Sequence, residues 1–336
     1  MNQPINHQIL LAARPQGLPK PGDWQHAEEP VGEPSHGEVL VRNTYMSVDP
    51  AMRGWMNDRP SYVPPLKLGD VMRALTVGEV VESKNPNFTA GDLVAGIGGV
   101  QEYAISDGGD LMKADRDLGP DPLWLNTLGI AGLTAYCGLM EVGQPKAGET
   151  VLVSGAAGSV GAHVGQIARI QDCRVVGVAG GPEKCHYLTD ELGFDAAIDY
   201  KDEALHEGLK RACPDGIDVF FDNVGGEMLD ATLAHMREFG RLVLCGAISQ
   251  YNATGPLDAL RNVIFAVPRR LRIQGFIYFD YRDKWPAMLK DMAAWRAAGR
   301  LTCREDIVEG GIEKFPETLL RLFSGDNLGK LMIKLA

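Results

Sequence analysis

The sequence predicts an α/β chain in which a doubly wound parallel sheet is inserted into a β-rich, partly closed barrel domain. Three observations carry that expectation. An apolar run, Val151-Leu152-Val153, leads into Ser154-Gly155-Ala156-Ala157-Gly158-Ser159-Val160-Gly161 and then into a helical pattern. From Asp121 onward, strand and helix patterns alternate in units of about 20–30 residues, as parallel strands joined by helical crossovers require. Before Asp121 the chain shows short strands in turn-rich sequence, and a lone strand pattern returns at Leu331–Leu335.

In order, Ile9–Ala12, Glu38–Tyr45, Leu75–Glu82, Leu93–Ala95 and Gln101–Ile105 read as strands, separated by punctuation such as Pro19-Lys20-Pro21-Gly22 and Gly96-Ile97-Gly98-Gly99. Regular short strands with Gly and Pro between them favour a barrel over a sandwich. Leu125–Met140 has helix-spaced apolar residues. The fingerprint strand and the helix Val160–Ile170 follow. Next come the strand Arg174–Ala179 and the helix Pro182–Leu192, with Pro182 suited to a first helical turn. Ala196–Asp199, Ile217–Asp222, Gly240–Cys245 and Arg272–Ile277 continue the strands; Glu203–Ala212, Glu227–Met236 and Trp285–Ala298 are the helices between and after them. The helix Lys314–Phe323 precedes the last strand, which has no place in the parallel sheet. It is expected to return to the first domain, giving a discontinuous domain of residues 1–122 and 301–336 around a domain of residues 123–300.

Composition bounds the function. A chain of 336 residues exceeds one ordinary hydrophobic core. Its net charge of −11, dispersed along the chain, argues against nucleic acid or anionic lipid as a partner. Arg269, Arg270 and Arg272 form the one basic cluster, read as a solvated loop entering a strand. No apolar stretch is long enough to span a membrane, and Met1–Asn6 lacks the features of a secretory signal, so a cytoplasmic location is expected. The six cysteines contain no C-x-x-C pair, which suggests neither a disulfide framework nor a zinc site. They read as reduced, mostly packed thiols.

The glycines at 155, 158 and 161 match the spacing of a dinucleotide-binding turn. The first permits the sharp turn, the second lets backbone approach a pyrophosphate, and the third permits close packing at the helix start. The pyrophosphate would sit on the helix N-terminus, among Gly155, Ala157, Gly158, Ser159, Val160 and Gly161. An NAD site places an acid at the end of the second strand. Here that end reads Val178-Ala179-Gly180-Gly181, with Lys184 after it and Tyr200 ending the third strand. A cation and a phenol without an acid suit a 2′-phosphate, hence NADP(H). The other possibility makes Lys184 a surface residue and lets Glu183 replace the acid. Asp222-Asn223-Val224-Gly225-Gly226 and Cys245-Gly246-Ala247-Ile248-Ser249 end the next two strands, where ligands bind in such sheets or where turns simply end strands.

These residues, with Met46-Ser47-Val48-Asp49-Pro50-Ala51-Met52-Arg53-Gly54, Ser61-Tyr62-Val63-Pro64-Pro65, Gly275–Tyr278 and Asn327-Leu328-Gly329-Lys330, resemble one family over nearly the whole chain. It is the medium-chain dehydrogenase/reductase superfamily, in its zinc-free leukotriene B4 dehydrogenase and prostaglandin reductase branch, which includes bacterial curcumin reductases. The resemblance implies a GroES-like catalytic domain split around a Rossmann domain, and a homodimer. It implies NADPH contacts at Gly158–Gly161, Lys184, Tyr200, Asn223, Cys245, Gly246, Ala247, Ile248, Ser249, Tyr251, Phe276, Ile277, Tyr278 and Asn327. Zinc-dependent relatives carry cysteine ligands in the first domain; this chain has no cysteine before Cys137, and its seven histidines show no ligand spacing.

The resemblance further implies metal-free reduction of the C=C bond of α,β-unsaturated ketones and aldehydes, small hydrophobic conjugated carbonyls. NADPH supplies hydride to the β-carbon, charge moves to the carbonyl oxygen, and a proton is added at the α-carbon. Hydrogen-bond donors would steady the enolate, and a tyrosine could relay the proton. Relatives usually have Tyr where this chain has Ala51, and some carry one in the segment that here reads Asn262-Val263-Ile264-Phe265. Those departures either leave the site without a side-chain proton donor or shift the role to Tyr62, Tyr251 or Tyr278, with Ala51, Met52, Tyr62 and Tyr278 lining the substrate pocket. Met46, Met52 and Met56 read as core or as adaptable lining. Arg53 is expected to tie its loop to a carboxylate such as Asp49, and Tyr62 either contacts substrate or lies as an amphipathic ring on the surface. Quinone reduction, or a non-catalytic NADPH-binding sensor or scaffold, are the alternatives.

Overall fold

A computed structural model describes residues 4–335. It divides into two compact units, residues 1–129 with 305–336 and residues 130–304.

The first unit begins with the hairpin Ile5–Leu11 (β1) and Trp24–Pro30 (β2), paired antiparallel. β2 was not expected, because its Gln25-His26-Ala27-Glu28-Glu29 has one apolar residue and little alternation to signal a strand. Val39–Ser47 (β3) follows, then a short helix Ala51–Trp55 (α1), and strands Leu75–Ser83 (β4), Leu93–Ile97 (β5), Tyr103–Ser106 (β6) and Met112–Lys113 (β7). α1 lies in sequence too short for helical periodicity to show.

The second unit opens on the helix Ile130–Tyr136 (α2) rather than at Leu125; Asp121–Trp124 is a separate 3-10 turn. The last turns of α2, Cys137–Gly143, widen to π-type bonding. Gly138 accounts for that stretch being glycine: a Cβ there would lie 2.4 Å from the Phe276 ring and 2.5 Å from the Phe221 ring. Next come Thr150–Ser154 (β8), Ser159–Ile170 (α3), Arg174–Ala179 (β9), Pro182–His186 (α4), Ala196–Asp199 (β10), Leu205–Ala212 (α5), Ile217–Asp222 (β11), Gly226–Leu233 (α6), Met236–Leu244 (β12), Ala266–Arg269 (α7), Arg272–Gly275 (β13) and Trp285–Ala297 (α8). The six strands pair in the order β10-β9-β8-β11-β12-β13, all parallel. That is the doubly wound order with its reversal beside β8, so the loops at the carboxyl ends of β8 and β11 flank the ligand-binding point of such sheets. Leu152, Val176, Ile198, Phe220 and Leu242 build the core beneath.

The chain then returns to the first unit with Glu305–Val308 (β14), the helix Phe315–Ser324 (α9) and Lys330–Lys334 (β15). The sheet there runs β14-β15-β3-β4-β5-β7, with β6 added to β3 and the hairpin joined by bridges Gln8–Gln101 and Leu10–Val71. β3 is the hub: Tyr45–Ser47 pairs β15, Val39–Arg42 pairs β6, and its other edge takes β4. Ile9, Met46, Met52, Met56, Phe315 and Leu331 fill the core, with Trp24 edge-on to Phe315 at 5.2 Å. No described helix is long and apolar enough to cross a membrane.

Among the basic cluster, Arg269 donates to the Leu233 carbonyl, Arg270 pairs with Glu238, and Arg272 donates to the Val142 carbonyl. All three are engaged in local structure.

On the hairpin, His7 Nδ1 lies 2.7 Å from Glu102 Oε2, and this hydrogen bond raises the imidazole above its ordinary pKa. A raised folded value means the pair stabilises fully below the unfolded pKa of about 6.5 and loses that contribution as pH rises through the higher folded value. His7→Gln is therefore expected to lower the urea midpoint more at about pH 6 than at about pH 9. Equal losses at both would remove the assignment.

Candidate active site

In the second unit the site is built from turns at the carboxyl ends of β8, β9, β11 and β12. Gly155 adopts φ +57, the left-handed turn that its position after β8 requires. A Cβ on Gly161 would stand 2.5 Å from the Gly155 carbonyl, so only glycine lets the first turn of α3 lie this close to its own loop. Gly158 is the N-cap and brings no side chain over the helix start. Gly158, Ser159 and Val160 are half-exposed, while Ala157 and Gly161 are buried. The first turn of a helix leaves N–H groups without intrahelical acceptors, and these face the positive end of the dipole. The residues present therefore fit a pyrophosphate.

Asp222 organises the neighbouring turns. It is fully buried at the end of β11, where it accepts from Ser154 Oγ at 2.7 Å and from the backbone N–H groups of Val224 and Gly225. Burial raises its pKa, against the pull of those donors. The Asn223 side chain donates to the Ser154 carbonyl at 2.7 Å, joining the turn after β11 to the fingerprint. The turn after β12 is tied to it in turn, Cys245 and Gly246 donating to the Asp222 carbonyl and Ser249 Oγ to the Val224 carbonyl at 2.7 Å. The Tyr251 hydroxyl accepts from the Ala247 N–H at 3.1 Å. Burial pushes the Cys245 thiol up to about 12, so it is neutral near pH 7. Gly155–Gly161, Asn223 and Cys245–Tyr251 are thus one bonded surface. Ser154 and Asp222 as a pair were missed; two polar residues ending adjacent buried strands were the signal.

At the end of β9, a Cβ on Gly180 would fall 2.9 Å from the Tyr200 ring, so phenol and strand end lie together. Asp199 ends β10 opposite Ala179, but its Oδ1 accepts from the Gly181 N–H at 2.8 Å and the Lys201 N–H at 3.0 Å. One oxygen of that carboxylate is thus taken by backbone. Glu183 is exposed on α4 and Lys184 is half-buried beside it. Phe276 sets its ring edge-on to Phe221 at 6.1 Å, and Tyr278 stacks on Trp285 at 5.4 Å, which fixes the segment Phe276–Tyr278 through its side chains.

In the first unit, Ala51 is half-buried and packs against the core. Met52 is 0% exposed there with Met46 and Met56, so it offers no surface to a substrate; the core role is the one the structure gives it. Arg53 also departs from expectation. It donates to the carbonyls of Gly17 and Pro15 and to Asn57, and the carboxylate facing it is Asp23. Asp49 is taken instead by Lys330, which reaches it from β15, the strand paired with β3. Lys330 Nζ lies 2.6 Å from Asp49 Oδ1 and 2.5 Å from Ser47 Oγ. Tyr62 is 48% exposed, and its hydroxyl accepts from Trp55 Nε1 at 3.0 Å. Asn327 is half-buried and donates to the Gly329 carbonyl at 3.3 Å.

Residues 7–114 match the family model described as the N-terminal domain of oxidoreductase, and residues 159–294 the one described as zinc-binding dehydrogenase. The NADPH-dependent curcumin reductase of Escherichia coli is 45% identical over 98% of this chain and 97% of its own. The chain belongs to the medium-chain dehydrogenase/reductase superfamily. The NADP(+)-dependent 2-alkenal reductase of Nicotiana tabacum is 41% identical over 98% of this chain and 97% of its own. A crystal structure of CurA from Vibrio vulnificus in complex with NADPH superposes with a TM-score of 0.92 at 39% identity, over 98% of this chain and 99% of that one. Despite the superfamily's zinc enzymes, no group of three or more His, Cys, Asp or Glu among the described residues could hold a metal ion, and no cysteine among them is in a disulfide.

Gly161→Ala is expected to cost about 1–3 kcal/mol of unfolding free energy, because its Cβ meets backbone that cannot move aside. Gly158→Ala, whose Cβ would stand 3.3 Å from the Gly155 carbonyl, is expected to cost less. Chemical denaturation of both variants checks the order.

Proposed function

We propose that this protein is an NADPH-dependent reductase of the C=C bond of α,β-unsaturated ketones and aldehydes. The observation that carries it is full-length relatedness, above 40% identity, to two enzymes named for reducing conjugated carbonyls with NADPH. Bound NADPH supplies the hydride that the substrate's β-carbon accepts. The fingerprint turn holds the pyrophosphate on the α3 N-terminus, and Lys184 with Tyr200 takes the 2′-phosphate at the corner where Asp199 is occupied by backbone. Asn223, the turn Cys245–Tyr251, Phe276–Tyr278 and Asn327 hold the remainder of the cofactor. Ala51, Tyr62 and Tyr278 are assigned to the substrate, and Tyr62 and Tyr251 to the hydrogen bonds and proton that the enolate requires.

Following NADPH absorbance with a 2-alkenal, a curcuminoid and a quinone separates the alternatives. Oxidation with the first two, yielding saturated carbonyls, is expected. Turnover of the quinone alone would make it a quinone reductase, and tight binding without turnover a sensor. Lys184→Ala is expected to raise KM for NADPH about ten- to a hundredfold, the weight of a charge-assisted hydrogen bond. KM for NADH should change little; equal losses would refute the 2′-phosphate contact.

We also infer a homodimer in which two copies meet along β13. That edge strand is exposed at every residue, and Leu257, Leu260, Val263, Ile264, Val267 and Ile273 are exposed apolar side chains on or leading to it. Open edges and apolar patches of this kind are ordinarily covered. Light scattering should give twice the chain mass, and Val267→Glu should shift it towards monomer. A monomeric native protein would overturn the inference.

A further inference from the structure

Arg73 has a feature that its fold alone does not explain. It lies between Met72 and Ala74, both 0% exposed, where the chain enters β4. The backbone there is pinned on both sides, Met72 donating to the Ile9 carbonyl and Val100 donating to the Met72 carbonyl. From this fixed root the guanidinium passes over the Trp55 ring, 5.6 Å from its centroid, and Nη2 donates to the Pro64 carbonyl at 3.1 Å. Nη1 is buried and, among the described residues, takes no hydrogen-bond partner. A buried donor left without an acceptor is costly, so something beyond packing keeps it there. Burial lowers the guanidinium's pKa, against the opposing pull of negative charge at the Tyr62 phenol and at Asp70.

Tyr62 is thus bracketed. The Trp55 N–H points at its oxygen from α1, and the Arg73 cation lies over that same indole ring while tying down Pro64, two residues further on. Accepting from Trp55 directs the hydroxyl's own proton away from the indole. Both groups favour negative charge on the phenol oxygen. Asp70, which also acts on Arg73, accepts from the Lys67 N–H; the other charges on these elements are engaged elsewhere, Arg14 with Asp58 and the Met56 carbonyl and Arg53 with Gly17, Pro15 and Asn57. Arg59 is exposed.

We propose that Arg73 is a positioning residue that makes Tyr62 a competent proton donor to the α-carbon. The proposal rests on Tyr62 being that donor. After hydride reaches the β-carbon, the enolate's electron pair takes the Tyr62 proton at the α-carbon. The O–H bond breaks, the C–H bond forms and the carbonyl is restored. The charge left on the Tyr62 oxygen lies beside Trp55 N–H and Arg73 until water returns a proton. A phenol is ordinarily a slow acid near neutrality, and a nearby cation stabilises the anion it leaves.

The test is the pH profile of kcat with a 2-alkenal, for the native protein, Arg73→Met, Arg73→Gln, Arg73→Lys and Tyr62→Phe. Arg73→Met should move the alkaline limb up by about one pH unit and lower kcat near pH 7 about tenfold, with NADPH affinity unchanged. Arg73→Lys, which keeps the charge, should restore most of both. Arg73→Gln, which keeps a donor for Pro64 but not the charge, should behave like Arg73→Met and stands in for it if that variant does not fold. An alkaline limb unmoved in the neutral variants, while Tyr62→Phe lowers kcat, would overturn the role of Arg73 alone. Native kcat in Tyr62→Phe would overturn the donor assignment itself.

Discussion

The second unit depends on a carboxylate placed where carboxylates are costly. Asp222 ends a strand of six buried residues, and burying an ion there is tolerable only because donors surround it. One is the Ser154 hydroxyl, at the end of the adjacent parallel strand; the others are N–H groups of the turn that Asp222 itself begins. The carboxylate thus converts two strand ends into one piece. Its carbonyl does the same for the turn after β12. Three loops that carry the cofactor candidates are held in register by the side chain and backbone of one residue.

The first unit has a counterpart in Lys330. Its ammonium is 2% exposed and sits between Ser47 and Asp49. A buried lysine this close to a carboxylate is strongly destabilising if either partner is removed. The pair therefore fixes the chain's last strand to the segment that begins α1, although 281 residues separate them. Asn327 precedes the lysine by three positions, and Ala51 follows the aspartate by two. The same contact settles where both begin.

The parallel sheet was legible because its strands are short apolar runs with a helix-length interval between them. Arg174–Ala179, Ala196–Asp199 and Ile217–Asp222 appear with the expected boundaries. The glycine turn was legible for the same reason: spacing, flanking strand and flanking helix are all local in sequence. What was not legible is long-range. The hairpin strand Trp24–Pro30 exists because β1 pairs it, and β14 because β15 does. Arg53 was expected on Asp49 by proximity in sequence, whereas a lysine from the far end of the chain occupies that carboxylate. Met52 sits in a segment whose motif suggested substrate, but the five-residue helix α1 turns it into the core. The bracket around Tyr62 was equally hidden, since Trp55, Tyr62 and Arg73 share no spacing that marks them.

The missing side chain at Gly138 has a consequence beyond helix geometry. Phe276 occupies the space a Cβ would fill, so its ring acts as a peg driven into the widened helix from the segment that follows β13. A residue larger than glycine at 138 would be accommodated only by moving the Phe276 and Phe221 rings. Through one aromatic ring, the identity of residue 138 constrains where the chain leaves β13.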